Sequence, residues 1–491
     1  MSSLGQSITR LLLRVLSAFG IFAYLARLLF GPRVAAVMGL TWKAAFRFRL
    51  FLVVSILLLA SVVALPLLLK DDGTARGFTQ ILLTYTLSTI AALLGLSTLW
   101  LSCGTLARDI EECQMQVVAV KPVARWQIWL GKWLGLVSLN AALLGLSGLC
   151  VFALLQWRAT RLSPAEQETL HREVLVARGS VQPPSAQADI ERDTDRILKE
   201  RLQKTPVASA DLPEVRKQIL EQVKSAYQLV PPGYTREWQI DLGAHRGQVR
   251  GRPLQVRIKF NSADRSPSGT FTGLWSVGAP PKTPLQRLEP MNMAPDTFYE
   301  FEIPPNFVDE AGVLTINFYN VNETALLFPL DEGMEVLYRE GGFALNFVRG
   351  LGIIFCWMAL LATIGLSAAS FLSFPVAAFF SMGLLTLVLS SGTLAGAVSE
   401  GTLSGYNAEK GAPAHTPLDT LAIPVFKGIL WLINLAKQFS PIDSLSSGRS
   451  ITWGELGLAF SRIVLLLGGI FALIGIGAFS RRELATAQGT Q

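Results

Sequence analysis

Uncharged apolar runs dominate the chain, interrupted by short charged stretches and by one long polar segment, residues 158–349. Leu50–Leu69, Phe78–Ala107 and Trp133–Trp157 contain no Asp, Glu, Lys or Arg. A hydrocarbon core of roughly 30 Å takes about 20 apolar residues as a helix, so each run predicts one span. Gly350–Ser399 is uncharged throughout and long enough for two spans. Pro375 marks the turn between them, because proline lacks a backbone donor and disfavours helix just before it. Leu456–Phe479 is the last run, with Arg462 near one end and able to reach the headgroups. The pattern predicts an α-helical polytopic membrane protein of about six transmembrane helices.

Two further stretches are apolar but punctuated by charge. Residues 8–30 read as an amphipathic helix with arginines for headgroups, and 34–49 as a second one leading into the first span. Residues 418–439 tempt a seventh span, but Pro424 and Lys427 favour a re-entrant or interfacial helix within an outer loop, 400–455.

The polar segment changes period. To about Val230 its pattern is helical, with Val215, Ile219, Val223 and Tyr227 at helical spacing. From 234 to 340 it alternates, as in LQVRIKF, and stretches such as YTREWQIDL, GTFTGLWSV, DTFYEFEI, GVLTINFYN and GMEVLY are separated by Pro, Gly and Asn turns. Residues 158–344 therefore predict a large α+β insert, helical over 160–230 and a β-sandwich over 234–340. Trp238, Trp275 and Tyr299 are candidates for a ligand-stacking surface on it, or else core residues of its two sheets.

Composition orients this plan. The mean hydropathy is +0.41 and only 16% of residues are charged, which suits a membrane protein. Net charge is +7, yet the polar segment is nearly balanced, with 23 Lys/Arg against 25 Asp/Glu. The basic excess therefore belongs to the membrane part, where it marks cytoplasmic edges, and does not indicate nucleic acid. Residues 1–49 hold seven Lys/Arg and no acid, and Arg481 and Arg482 follow the last span. Both termini are accordingly expected in the cytoplasm, which an even number of spans requires. The tail 481–491 and the stretch 104–132 then lie inside the cell and the insert outside.

Chemistry is sparse. The three histidines, His171, His245 and His415, are far apart, and no metal-ligand or P-loop spacing occurs. None of the four cysteines, Cys103, Cys113, Cys150 and Cys356, falls in the insert, so no disulfide framework is expected there. The spans hold almost no ionisable groups, which argues against an ion-coupled carrier and an intramembrane hydrolase alike. No residue is read as catalytic, metal-binding or cofactor-binding.

The charged stretch between the second and third spans, LARDIEECQMQVVAVKPVARWQIWLGKWLG, is the informative one. It reads as a short amphipathic helix bearing Arg108, Asp109, Glu111 and Glu112, a break at Pro122, and a return with Trp126, Trp129 and Trp133 at the interface. The basic lead-in, two spans, this stretch, a third span, a later three-span block and a terminal FSRREL together resemble an ABC transporter permease of the type-2, exporter-like class. The resemblance covers residues 34–157 and 345–485. The chain has Cys113-Gln114-Met115 where that class often has Gly-Thr-Leu, and its insert is large for a simple drug exporter.

The resemblance implies that Arg108, Asp109, Glu111, Glu112, Pro122, Arg125 and Lys132 couple the chain to a separate P-loop ATPase subunit. That partner would bind the ATP-Mg, and the permeases would pair as a homodimer or heterodimer in the cytoplasmic membrane. The function expected is coupling of ATP hydrolysis to export or to work on the envelope. The alternatives are a mechanotransmission complex that moves its outer domain without passing a solute, and a passive membrane-anchored binding protein.

Overall fold

The computed structural model describes residues 20, 22–47, 49–68, 74–115, 122–170, 174–204, 212–262, 264, 269–400, 406–407, 412–413 and 417–482. Most of the expected amphipathic helix over 8–30, the stretch 116–121, His171, His415 and the tail beyond 482 lie outside them. The chain divides into two compact units, a helical one (Met1–Leu175 and Phe343–Gln491) and an insert (Val176–Gly342).

The helical unit begins with α1 (Pro32–Arg47), α2 (Arg49–Leu68), α3 (Ala75–Glu111) and α4 (Arg125–Ala159). Threonine caps α3, the Thr74 hydroxyl accepting from Gly77 N at 3.1 Å. Helix α4 lies against α1 through two glycines one turn apart. A Cβ at Gly131 would sit 2.7 Å from Val37 Cβ, and one at Gly135 2.7 Å from Thr41 Cβ. This is the small-residue spacing that lets helix backbones approach closely in a membrane. Trp42 Nε1 donates to Ser138 Oγ at 2.8 Å and fixes the pair.

Within the insert, helices α5 (Gln187–Lys204) and α6 (Leu212–Gln228) form a hairpin around Ile190, Ile219 and Val223. Its strands are β1 (Val176–Val181), β2 (Leu229–Val230), β3 (Thr235–Asp241), β4 (Leu254–Ile258), β5 (Asn261–Ser262), β6 (Phe271–Val277), β7 (Gln286–Arg287), β8 (Met291–Met293), β9 (Tyr299–Ile303), β10 (Val313–Asn320), β11 (Leu326–Leu327) and β12 (Met334–Gly342). One sheet runs β1-β12-β4-β9, a second β3-β10-β6-β7 with β8 also on β6, and β2-β11-β5 form a small third. All these pairings are antiparallel. Val256 and Val336 of the first sheet share one core with Trp238, Ile316 and Phe318 of the second, which makes a sandwich.

Each of the six quoted alternating stretches contains a strand, but the segment 160–230 is not helical throughout. It contains β1, whose sequence VARGSV shows no alternation of apolar and polar. That strand is held by pairing with β12 and by a buried ionic network in which Arg178 meets Glu300 at 2.8 Å. Arg257 stands opposite both Glu300 and Glu335 in the ladder and bonds each, at 2.6 and 3.1 Å. The compact insert is also shorter than 158–344. Helix α4 runs on to Ala159, and a short helix, Pro164–Thr169, stays with the helical unit, where the Glu166 carboxylate accepts from Ala75 N at 2.7 Å.

The helical unit resumes with α7 (Phe343–Ala369), α8 (Phe374–Leu389), α9 (Ser391–Glu400), α10 (Pro417–Lys437), α11 (Pro441–Ser446) and a long helix, α12 (Trp453–Arg481), whose middle, Phe460–Gly468, is π-helical. Among the described residues four helices, α3, α4, α7 and α12, are long and apolar enough to cross a membrane, while α2 and α8 yield shorter apolar segments, Val53–Leu68 and Phe374–Leu389. The expected fifth span breaks at Ser390, so it is a helix of 16 residues followed by one of 10. Helix α10 passes through Pro424 unbroken for 21 residues. The core is sealed by small residues: Gly365 of α7 sits against Ser102 of α3, and Gly475 of α12 against Ser367 of α7.

Candidate functional site

Arg108, Asp109 and Glu111 do not form a separate short helix. They are the last turn of the 37-residue α3, with Glu112 as its C-cap. Nothing between Leu101 and Glu111 breaks a helix, so it continues until Cys113, whose φ of 58° turns the chain out. Exposed Pro122 precedes α4, where Gln127 Oε1 accepts from Ala124 N at 3.1 Å.

Most of the charges in this bridge bind helix ends of the same chain. Lys132 is nearly buried, and its Nζ donates to Asp109 Oδ2 at 2.5 Å and to Thr105 O at 2.7 Å, tying α4 to α3. Arg125 Nη1 lies 2.8 Å from Phe479 O, 3.0 Å from Ser480 O and 2.6 Å from Arg482 O, so it caps the C-terminus of α12. Glu111 Oε1 accepts from Phe374 N at 2.8 Å and so caps the N-terminus of α8. The Arg108 guanidinium lies 4.4 Å from the Phe374 ring centroid. Arg482 Nη1 donates to Ser370 O at 3.2 Å and closes the circuit at the end of α7. Five helix ends therefore meet through side-chain-to-backbone bonds.

Glu112 is different. It is exposed, and its Oε2 accepts only from Gln114 Nε2, at 2.7 Å, among the described residues. Of the three tryptophans expected at the interface, Trp126 is exposed, whereas Trp129 is buried and Trp133 Nε1 donates to Thr363 Oγ1 at 2.8 Å. The indoles that return the chain to α4 thus serve packing as much as anchoring.

Several polar contacts between helices of the bundle are uncharged. Thr98 Oγ1 donates to Asn140 Oδ1 at 3.1 Å, Ser367 Oγ donates to Phe471 O at 2.7 Å, and the Sγ of Cys103 lies 3.5 Å from Ser381 Oγ. Among the described residues no cluster of His, Cys, Asp or Glu is grouped to hold a metal ion. His245 instead stacks on Tyr338, its Nδ1 3.0 Å from the phenol oxygen.

The expected stacking surface on the insert is not displayed. Trp238 and Trp275 are 6% and 2% exposed and stack on each other in the sandwich core, at 6.0 Å. Tyr299 is half-buried, with its hydroxyl accepting from Ala294 N at 2.6 Å. The parity of the strands carries the reason: Trp238 shares a face with Ile240, and Trp275 with Phe271 and Val277.

Sequence reasoning picked out Asp109, Glu111, Arg125 and Lys132, and so both members of the Lys132–Asp109 pair, but not their backbone partners. Those are backbone groups of Thr105, Phe374, Phe479 and Ser480, which no motif can display. No protein family, no curated protein and no solved structure matches the chain.

Proposed function

We propose that the chain is the membrane-spanning permease subunit of an ABC transporter, driven by a separate P-loop ATPase that grips the bridge between α3 and α4 from the cytoplasm. The observation that carries this reading is the circuit of five helix ends around Asp109, Glu111, Arg125, Lys132 and Arg482. A solvated loop that merely satisfied topology would have no use for it. A force applied at Glu112 would pass into α3 and α4 and on to α7, α8 and α12, because each is bonded to the next. The chain itself supplies no hydrolytic chemistry in this scheme, and ATP-Mg belongs to the partner.

Force transmission without passage of a solute is favoured within this class by one feature. Strand β12 ends at Gly342 and α7 starts at Phe343, so no linker residues separate the membrane helix from the insert. The test is purification of the full chain from native membranes, with the co-purifying proteins probed for ATP hydrolysis. Glu112→Lys is expected to release the ATPase while leaving the fold intact, because Glu112 bonds no other helix end. Glu111→Gln is expected to retain it, since an amide oxygen still accepts from Phe374 N. A complex without a nucleotide hydrolase, or one indifferent to Glu112→Lys, would refute the docking role.

A further inference from the structure

Strand β3 lies at the end of its sheet and, among the described residues, pairs only with β10. The ladder between them is fixed at both ends. Leu242 N donates to Gly312 O at 2.7 Å, and Asn320 N donates to Tyr234 O at 3.1 Å. The intervening pairs run in step, with Trp238 opposite Ile316. In an antiparallel ladder the bonded positions recur every second residue, so Arg236, Trp238 and Ile240 spend their backbone groups on β10. The N–H and C=O of Glu237 and Gln239 are directed away from it.

A cleft of about 910 Å³ opens beside this edge, under the α5–α6 hairpin. Arg236, Glu237, Trp238 and Gln239 line it in unbroken succession. Successive side chains of a strand point to opposite faces, so a cleft lined by four consecutive residues runs along the strand's edge. The lining is completed by residues of both signs, Arg216 and Lys224 of α6 with Glu191, Asp331 and Glu332, so the cleft has no strong charge preference.

We propose that this cleft captures an extended peptide segment of a partner protein as an added strand on β3. The backbone groups of Glu237 and Gln239, directed into the cleft, would bond its main chain as the next rung of the ladder. Four residues of edge, roughly 13 Å of strand, suffice to register such a guest. A glycan is the poorer occupant. Trp238 has no free face to stack on, since the Arg236 guanidinium lies 4.9 Å from its centroid and Trp275 and Phe328 pack against the ring.

The proposal is independent of any ATPase and is tested by panning a phage-displayed random heptapeptide library on the full chain in lipid nanodiscs. Enriched peptides should be those that favour the extended conformation, rich in β-branched residues. Glu237→Pro and Gln239→Pro, which remove outward N–H groups without touching the β10 ladder, should each weaken them about tenfold. Glu237→Ala should stay within about twofold of the parent, because it keeps the N–H. If the proline variants lose the near-ultraviolet signal of the stacked indoles, alternate N-methylation of the peptide against the parent chain makes the same cut. No enrichment over empty nanodiscs would overturn the proposal, as would binding indifferent to backbone N–H removal on either side, or displacement of the peptides by a β-linked amino-sugar oligomer.

Discussion

Removing either member of the Lys132–Asp109 pair should not cost the same, and the asymmetry follows from burial. The Lys132 side chain is 8% exposed and that of Asp109 33%. In Lys132→Met the methionine keeps the apolar stem and Asp109 is stranded, but water reaches a third of its surface. The loss is one charge-assisted bond and the bond to Thr105 O, about 1–2 kcal/mol after rehydration. In Asp109→Ala a nearly buried ammonium keeps only Thr105 O. Stranding a buried charge costs about 3–5 kcal/mol, and partial snorkelling trims this to about 2–4. The double variant strands no charge and should lie close to Lys132→Met, so the coupling energy should match the cost of Asp109→Ala alone, about 2–4 kcal/mol. Denaturant titration of the purified chain in one detergent, followed by loss of helical ellipticity, measures all four corners of the cycle. Strict additivity would show that the two groups do not depend on each other. Lys132→Met proving worse than Asp109→Ala would refute the burial argument.

Arg125→Ala should destabilise the end of α12 by about 1–3 kcal/mol, with Arg125→Lys recovering only part because one ammonium cannot span three carbonyls, and amide exchange at residues 478–482 measures it. Gly135→Leu should prise α1 from α4 at a cost of about 1–3 kcal/mol, since even a Cβ there meets Thr41 Cβ and Met38 O; a crosslink between cysteines placed on the two helices should form more slowly. The Tyr227 hydroxyl bonds the Asp193 carboxylate at 2.9 Å, which raises its pKa above the ordinary tyrosine value. The folded insert then holds that proton more tightly than the unfolded chain does. This contribution to stability is present below about pH 10 and fades as pH rises through the folded pKa. Tyr227→Phe should flatten an alkaline loss of stability followed by tryptophan fluorescence, and an unchanged pH profile would count against the bond.

The long apolar helices are legible because hydropathy is a redundant signal: no single residue between Phe78 and Ala107 decides it. The broken helix at Ser390 was not, because Ser390-Ser391-Gly392 carries no proline and its C-cap geometry depends on bonds to Thr386 and Val388 carbonyls. Strand β1 was hidden for a related reason. Its buried residues include an arginine, whose guanidinium is held by Gln255 and by Glu300, the latter more than a hundred positions away. The sandwich strands were readable from alternation, and the same alternation places Trp238 and Trp275 in the core once parity is followed. The bridge was legible as residue types and not as contacts, since Arg125 finds its acceptors some 350 residues downstream.

What the bridge does with its charges follows the polarity of the helices it meets. An N-terminus offers unsatisfied N–H groups and a C-terminus unsatisfied carbonyls. The anionic Glu111 is set against the start of α8, and the cationic Arg125 and Arg482 against the ends of α12 and α7. Each charge has the favourable sign for the helix end it caps, although Glu111 ends α3 and Arg125 begins α4, where the sign is unfavourable; the circuit therefore acts chiefly by joining these ends. A contact of that kind resists being pulled apart more than it resists tilting, because a capping bond swings with its helix before it breaks. A partner pressing on Glu112 would accordingly move these ends as a group and leave their capping bonds intact. That is the mechanical property a coupling site needs, and a loop anchored only by apolar side chains would not have it.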